Sequence, residues 1–227
     1  MRNTTEIIAD FPIFSGLSDS QLRAVRKIAV KKKFAKGEII FSEGDEGNGF
    51  YIIADGMVKI FKVSSEGKEH ILHIYDSGKS FGEVPVFTGK HFPAMAEAIT
   101  RTKVVFFPRS DFKNLIGANP SLAMKMLADL SVKLRQFTVQ IENLSLKEIP
   151  ARLASYLIYV SGEQGGTDKV SLAISKGQLA SLLGTVPETL SRMFAKLSSQ
   201  QLIEVDGRQI TLLNRPALEN LAETGKE

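Results

Sequence analysis

The sequence predicts an α+β chain in three parts: an antiparallel β-roll, one long helix, and a small helical domain closed by a hairpin. Three observations carry this reading. Glycines recur at regular spacing between short apolar runs, large apolar residues then recur at helical spacing, and two short helices joined by glycine precede an Asp-Gly turn. The expected boundaries are 1–118 for the roll, 119–147 for the long helix and 148–227 for the last domain.

Residues 30–110 read as β. Stretches rich in Ile, Val, Phe and Tyr are separated by Gly37, Gly44, Gly56, Gly67 and Gly78, and the last three intervals are 12, 11 and 11 residues. That spacing belongs to an antiparallel sandwich or jelly roll, in which every short strand needs a turn to reverse it. Residues 65–68, Ser-Glu-Gly-Lys, are the expected hairpin tip between YIIADGMVKIFKV and EHILHIY. GDEGNG at 44–49 has the glycines of a phosphate loop, but it leads into a strand rather than a helix and reads as a turn.

Asn119-Pro120 marks a change of period. Leu127, Leu130, Leu134, Phe137, Ile141 and Leu144 follow at intervals of 3, 4, 3, 4 and 3, with Ala123 one step earlier. This is an a/d seam, narrower than the apolar face of an ordinary surface helix. Val132, Val139 and Leu146 form a second line seven residues apart. Two arrangements satisfy the pattern: a core helix with one broad apolar side, or a helix that pairs with its twin while its other side covers the roll. The strictness of the seam favours pairing, and each seam residue buried contributes roughly 1.5–3 kcal/mol before entropy is subtracted. A homodimer is expected. Pro150 ends the helix, Ala151 to Val160 form a shorter one, and SGEQGGTD at 161–168 is a turn.

SKGQLASLLG at 175–184 carries both helix punctuation marks. Ser175 and Gln178 have capping-box spacing, and Gly184 suits the left-handed residue past a C-terminus. TVPETLSRMFAKL follows at once; Thr185 and Glu188 repeat the box, and Pro187 is tolerated in a first turn. Leu190, Phe194 and Leu197 share one face of this second helix, with Leu179, Leu182 and Leu183 as packing partners, and Asp206-Gly207 then centres a hairpin. Helix, turn, helix and hairpin make a winged helix-turn-helix. The outer face presents Glu188, Ser191, Arg192 and Lys196. Arginine bonds guanine O6 and N7 together, glutamate accepts from cytosine N4, and serine suits either, so Glu188, Ser191 and Arg192 are the expected base readers. Each has a plainer reading too, with Glu188 as a cap and Arg192 as its i, i+4 partner. Lys176, Thr189, Lys196 and Arg208 are expected phosphate contacts, which position without specifying sequence.

Composition narrows the remaining classes. The 227 residues are 43% hydrophobic and 24% charged, as in an ordinary globular protein. No run has the length of a membrane span, the N-terminus lacks signal-peptide layout, and a cytoplasmic location without membrane contact is expected. The absence of cysteine excludes disulfides, thiolate nucleophiles and cysteine-ligated iron–sulfur or zinc sites. Net charge is +4, yet residues 150–227 hold eight basic and eight acidic side chains, so the DNA reading rests on placement rather than totals. A cupin-like enzyme in the roll is disfavoured by three scattered histidines and the lack of a metal-spaced carboxylate cluster.

KGEIIFSEGDEGNGFYIIADGMVKI, then FGE at 81–83, then the long helix and GQLASLLGTVPETLSRMFAKL together resemble the CRP/FNR family of bacterial transcription regulators over nearly the whole chain. The resemblance implies a cyclic-nucleotide-binding-domain-like β-roll that senses an effector, a dimerisation helix, and a winged helix-turn-helix whose affinity for double-stranded DNA the effector controls. It also implies RNA polymerase as a partner. The family's Glu-x-x-Ser-Arg pattern falls on Glu188, Ser191 and Arg192, implying a pseudo-palindrome with TGA-type half-sites about one helical turn apart. Pro187 stands where the cAMP-binding regulator has arginine, which leaves the flanking bases open.

The same resemblance frames the effector pocket as Phe81, Gly82, Glu83, Phe92, Pro93, His73, Phe137 and Thr138. In cAMP-binding members the cassette glutamate has an arginine–serine pair about ten residues later. Here Glu83 is kept but the pair falls on Phe92-Pro93, and an adenine-contacting threonine falls on Phe137, with Thr138 beside it. A buried phosphate without a cation costs several kcal/mol, so cAMP is not expected. Lys90 and His91 read as solvent-facing. FPAMAEA with PETLSR is similar to the nitric-oxide-responsive DNR-like and HcpR-like regulators, which implies haem b, a redox or nitrosative signal, and an apolar pocket lined by Phe81, Phe87, Phe92 and Phe137. Haem needs an axial ligand. His73 shares a strand face with Ile71 and Tyr75 and is the expected one, ahead of Met95, while His70 points to the other face. The alternative is a regulator of the same architecture answering a cyclic nucleotide or another small metabolite.

Overall fold

A strand buried on both faces cannot alternate between apolar and polar residues, and GFYIIAD does not. In the computed structural model, which describes residues 8 and 11–225, this strand is the centre of the first of two compact units, Met1–Leu134 and Arg135–Glu227. The first unit runs α1 (Asp19–Ile28), β1 (Val30–Phe34), β2 (Ile39–Phe41), β3 (Gly49–Asp55), β4 (Val58–Val63), β5 (Glu69–Tyr75), β6 (Ser80–Phe81), α2 (Val84–Thr88), β7 (Met95–Ala98), β8 (Thr102–Pro108) and α3 (Arg109–Ala118). It ends within the long α4 (Pro120–Leu146).

Two four-stranded antiparallel sheets form the roll, in the orders β1-β8-β3-β6 and β2-β7-β4-β5. Odd and even residues of β3 serve different cores. Tyr51 and Ile53 join Phe41, Val58, Tyr75, Phe81, Phe92 and Val104 between the sheets. Phe50 and Ile52 join Val105, Phe107, Val25 of α1, Phe112 of α3, and Leu122 and Met126 of α4 on the helical side. The glycine rhythm marks real turns: Gly37, Gly44, Gly56, Gly67 and Gly78 all have positive φ. Gly47 has a different reason, since a Cβ there would lie 1.8 Å from that of Pro85.

The second unit contains the rest of α4, then α5 (Ile149–Glu163), β9 (Lys169–Ser171), α6 (Lys176–Leu182), α7 (Pro187–Ser199), β10 (Ile203–Asp206), β11 (Gln209–Leu212) and α8 (Arg215–Thr224). Its three strands are ordered β10-β11-β9, all antiparallel. β9 had no sequence signal: three residues are too few to show a period, and Lys169–Ser171 is defined by pairing with β11, with Gln164 bonded to both the N–H and the carbonyl of Ser171. Arg215, at the start of α8, donates to Asp168 at 2.9 Å and to the buried Ser161 at 2.6 Å, tying that helix to α5 and the turn behind it.

Along α4 the two faces differ as the seam predicts. Leu122, Met126 and Lys133 are buried, whereas Leu127, Leu134 and Ile141 are 56%, 68% and 64% exposed. Phe137, Val132, Val139 and Leu146 are exposed as well, and Leu130 and Leu144 are half-buried.

Candidate nucleic-acid interface and effector pocket

The outer face of α7 is built by what lies beneath it. Leu190, Phe194 and Leu197 are buried against Leu179 and Leu183, which leaves Glu188, Ser191, Arg192 and Lys196 exposed on the opposite side. The reversal between the helices is a glycine turn as expected, with Gly184 at φ 68°. Arg152 of α5 donates to the Leu183 carbonyl at 2.7 Å, satisfying an orphan at the end of α6. Ser175 and Gln178 form the expected capping box, at 3.2 and 2.9 Å.

The second box does not form. Val186 is the N-cap of α7, with φ −107° and ψ 154° and no side-chain cap. Proline forbids helical geometry to the residue before it, so Pro187 fixes the boundary one residue later than Thr185 requires. Glu188 is thereby left as an exposed carboxylate in the first turn, where the helix dipole favours it. Nor does Arg192 pair with Glu188. Its Nη2 donates to Thr189 Oγ1 at 3.1 Å, so Thr189, expected on a phosphate, orients the arginine in the free protein. Lys176 Nζ lies 5.2 Å from the Phe194 ring centroid, joining α6 to the buried face of α7. Arg208 is exposed at the wing tip, where Gly207 at φ 58° turns the hairpin and Asp206 pairs with Gln209.

The effector pocket holds the largest departure. Glu83 is 6% exposed and its Oε1 is 2.5 Å from Nζ of Lys133, itself 8% exposed. That ammonium also donates to the Ser80 carbonyl at 2.8 Å and Ser80 Oγ at 2.9 Å, meets Asp129 at 3.0 Å, and lies 5.4 Å from the Tyr75 ring centroid. The cationic partner of Glu83, for which residues 81–98 offer no arginine, is therefore supplied by the long helix, 50 residues further on. Sequence reasoning passed over Lys133, although its phase was a signal: it stands seven residues after Met126, in line with the buried stripe.

The apolar side of the pocket is filled. Phe92 stacks on Phe41 with centroids 3.8 Å apart and planes 7° apart, and Tyr51 stacks on Phe81 at 5.2 Å. Gly82, at φ 77°, lets the chain pass beside Phe41 and Phe92. His73 sits against Tyr75 at 4.3 Å, on the expected face. Burial, with Lys133 and then Lys79 adding to it, holds its pKa down to about 4, so the imidazole is neutral near pH 7; burial raises the Tyr75 phenol, and Glu83 and Asp129 push it further. These residues do not fit haem: a macrocycle beside His73 requires a slot where the rings are already in contact. Two expected pocket residues lie elsewhere. Phe87 is 49% exposed because Pro85 and Val86 take the inward positions of α2, and Pro93 is exposed beside the buried Phe92. Lys90 and His91 are exposed, as expected. Phe137 and Thr138 fall in the second unit. Among the described residues no cluster of three or more His, Asp or Glu is placed to hold a metal, and no helix is long and apolar enough to cross a membrane.

Residues 31–119 match the cyclic nucleotide-binding domain family, and residues 151–221 match the Crp-like helix-turn-helix domain family. The chain is 27% identical over 211 residues to the CRP-like cAMP-activated global transcriptional regulator of Mycobacterium tuberculosis, covering 91% of this chain and 94% of that one. It is 29% identical over 216 residues to the fumarate and nitrate reduction regulatory protein of Vibrio cholerae, covering 93% and 86%. Among solved structures, FixK2 of Bradyrhizobium japonicum superposes with a TM-score of 0.76 at 28% identity, over 86% of this chain and 97% of that one.

Proposed function

Because it joins a cyclic nucleotide-binding domain to a Crp-like helix-turn-helix domain, the chain belongs to the CRP/FNR family of DNA-binding transcription regulators, and from that premise we propose that it binds a pseudo-palindromic operator as a homodimer, under an effector other than cAMP. One observation carries the DNA reading: Glu188, Ser191 and Arg192 stand exposed on a helix whose other face is locked by Leu190, Phe194 and Leu197. Arg192 reads one guanine in each TGA-type half-site, while Lys176, Lys196 and Arg208 hold phosphates. RNA polymerase is the further partner in the cytoplasm. Arg192→Ala is expected to cost roughly 1–3 kcal/mol on a selected operator and to relax preference at one base pair. Competition binding with single-base operator variants checks this; equal loss on scrambled DNA makes Arg192 a phosphate contact.

The effector reading rests on Glu83. Its carboxylate is buried with Lys133 as partner, and residues 81–98 contain no arginine, so the ammonium beside Glu83 is already engaged when a nucleotide phosphate enters the roll. A small, uncharged or redox-linked ligand that moves the Phe41–Phe92 stack is the favoured class. Haem requires the same stack to part. A second reading, a cyclic-nucleotide-responsive regulator, is favoured by the domain match over 31–119 and by the named activity of the mycobacterial relative. Calorimetric titration with cAMP and cGMP separates the two, micromolar binding overturning the first. Titration with haem, followed by the Soret band, decides the haem case.

A further inference from the structure

An arginine side chain has many rotamers, and few of them bring its fork onto guanine O6 and N7 together. On α7 that freedom is restricted before any DNA arrives. Arg192 Nη2 donates to Thr189 Oγ1 at 3.1 Å, three residues back in the same helix. The start of the helix explains why this hydroxyl is available. Threonine inside a helix commonly turns its hydroxyl to the carbonyl three or four residues earlier. For Thr189 those carbonyls belong to Val186 and Thr185. Val186 is the N-cap, its carbonyl already accepts the Leu190 N–H at 3.0 Å, and Thr185 lies outside the helix. Pro187 fixes that boundary, so the proline that displaced the cap also places Thr189 in the first turn with its hydroxyl toward Arg192. Thr189 is half-buried, on the flank of the exposed stripe that carries Glu188, Arg192 and Lys196, and its branched Cβ leaves it few rotamers of its own. The chemistry of the partner matters too. A carboxylate would neutralise the guanidinium it orients, whereas a hydroxyl oxygen orients the group and leaves its charge for the base. Nη2 carries two hydrogens, so one is left for guanine while the other is held by Thr189.

We propose that Thr189 is a specificity-determining positioning residue: its hydroxyl sets the direction of the Arg192 guanidinium and sharpens the choice of guanine, rather than holding a phosphate. The inference rests on Arg192 as a base reader and deepens that reading. Specificity is a difference between two affinities. When its guanine is replaced, an unrestrained arginine swings to a neighbouring base edge or a phosphate and recovers part of the lost binding on the wrong sequence. A restrained arginine recovers less, so the gap between right and wrong sequences widens. Because Thr189 neutralises no phosphate, the salt dependence of binding does not depend on it.

The test is competition binding of the full chain on a selected operator and on the same operator with the guanine of one half-site replaced by adenine. Wild type is compared with Thr189→Val, Thr189→Ser, Arg192→Ala, and Thr189→Val combined with Arg192→Ala. Valine keeps the branched shape and removes the acceptor. Wild type is expected to prefer guanine by about tenfold or more. Thr189→Val is expected to lose about three- to tenfold of that preference at an unchanged salt slope, and Thr189→Ser to keep it. In the Arg192→Ala background the valine substitution is expected to change nothing, because the group it positions is gone. A Thr189→Val loss that is equal on both operators, persists without Arg192 or flattens the salt slope makes Thr189 a phosphate contact and overturns the proposal. An unchanged preference for guanine in Thr189→Val overturns it as well. If wild type shows no preference for guanine, or Arg192→Ala leaves that preference intact, the base-reading assignment of Arg192 fails instead.

Discussion

Glu83 and Lys133 form the most consequential pair of residues in the roll. Breaking a buried ion pair from one side leaves a charge without its counterpart, so Glu83→Gln or Lys133→Met alone is expected to cost about 3–5 kcal/mol. The double variant should recover most of that, because Asp129 and Ser80 keep access to solvent or to each other. Urea midpoints of the four proteins measure the coupling, and additive losses would show that the pair is not a unit. His73 provides a pH signature. Its folded pKa lies near 4, below the unfolded 6.5, so above pH 6.5 both states are neutral and the residue contributes nothing. As pH falls from 6.5 toward 4 the unfolded chain takes up the proton first, and about 2 kcal/mol of stability is lost between pH 7 and 5. Denaturation of His73→Gln should show a flatter profile over that window, where carboxylates have not yet titrated. Glu83 could be read from its local motif, since Phe-Gly-Glu is contiguous. Its partner could not, because that pairing depends on which turn of a distant helix lies over it.

At the scale of elements, α4 carries two instructions on one rod. Its exposed face is the seam, and its buried face, Leu122, Met126 and Lys133, was only implied by subtraction. Leu134→Glu and Ile141→Glu, each placing a charge in the seam, are expected to give monomers at micromolar concentration, seen by sedimentation equilibrium, with pseudo-palindrome affinity falling at least tenfold. An unchanged mass would assign the exposed seam some other role. The recognition helix was legible because Leu190, Phe194 and Leu197 recur with the helical period. Its N-terminus was misplaced by one residue because a capping-box spacing was given weight over the constraint proline imposes on Val186. β9 and the ring stack within the roll were invisible for a common reason. Phe41, Phe81 and Phe92 meet only after the sheets have paired, and no local period announces that.

Over the whole molecule, the proposed two-fold dimer would fix the distance between its reading helices, so half-sites are expected about one turn of DNA apart. Inserting about half a turn, five base pairs, between them is expected to lower affinity at least a hundredfold in a mobility-shift titration, and tolerance of the insertion would mean that the two readers are not rigidly coupled. The fold class was legible in full because glycine rhythm, helical seam and paired short helices are each repeated signals. The interior of the roll was not, since it rests on single side chains. The Lys133 ammonium has a wider consequence. A row of leucines is nearly indifferent to a small turn of the helix about its own axis, whereas an ammonium held by three acceptors of the roll, the Ser80 carbonyl, Ser80 Oγ and Glu83 Oε1, tolerates far less. Ser80 and Glu83 of the roll therefore act as an index pin for α4. They set which stripe of that helix faces outward, so substitutions at Ser80 or Glu83 would rephase the surface that the proposed pairing uses.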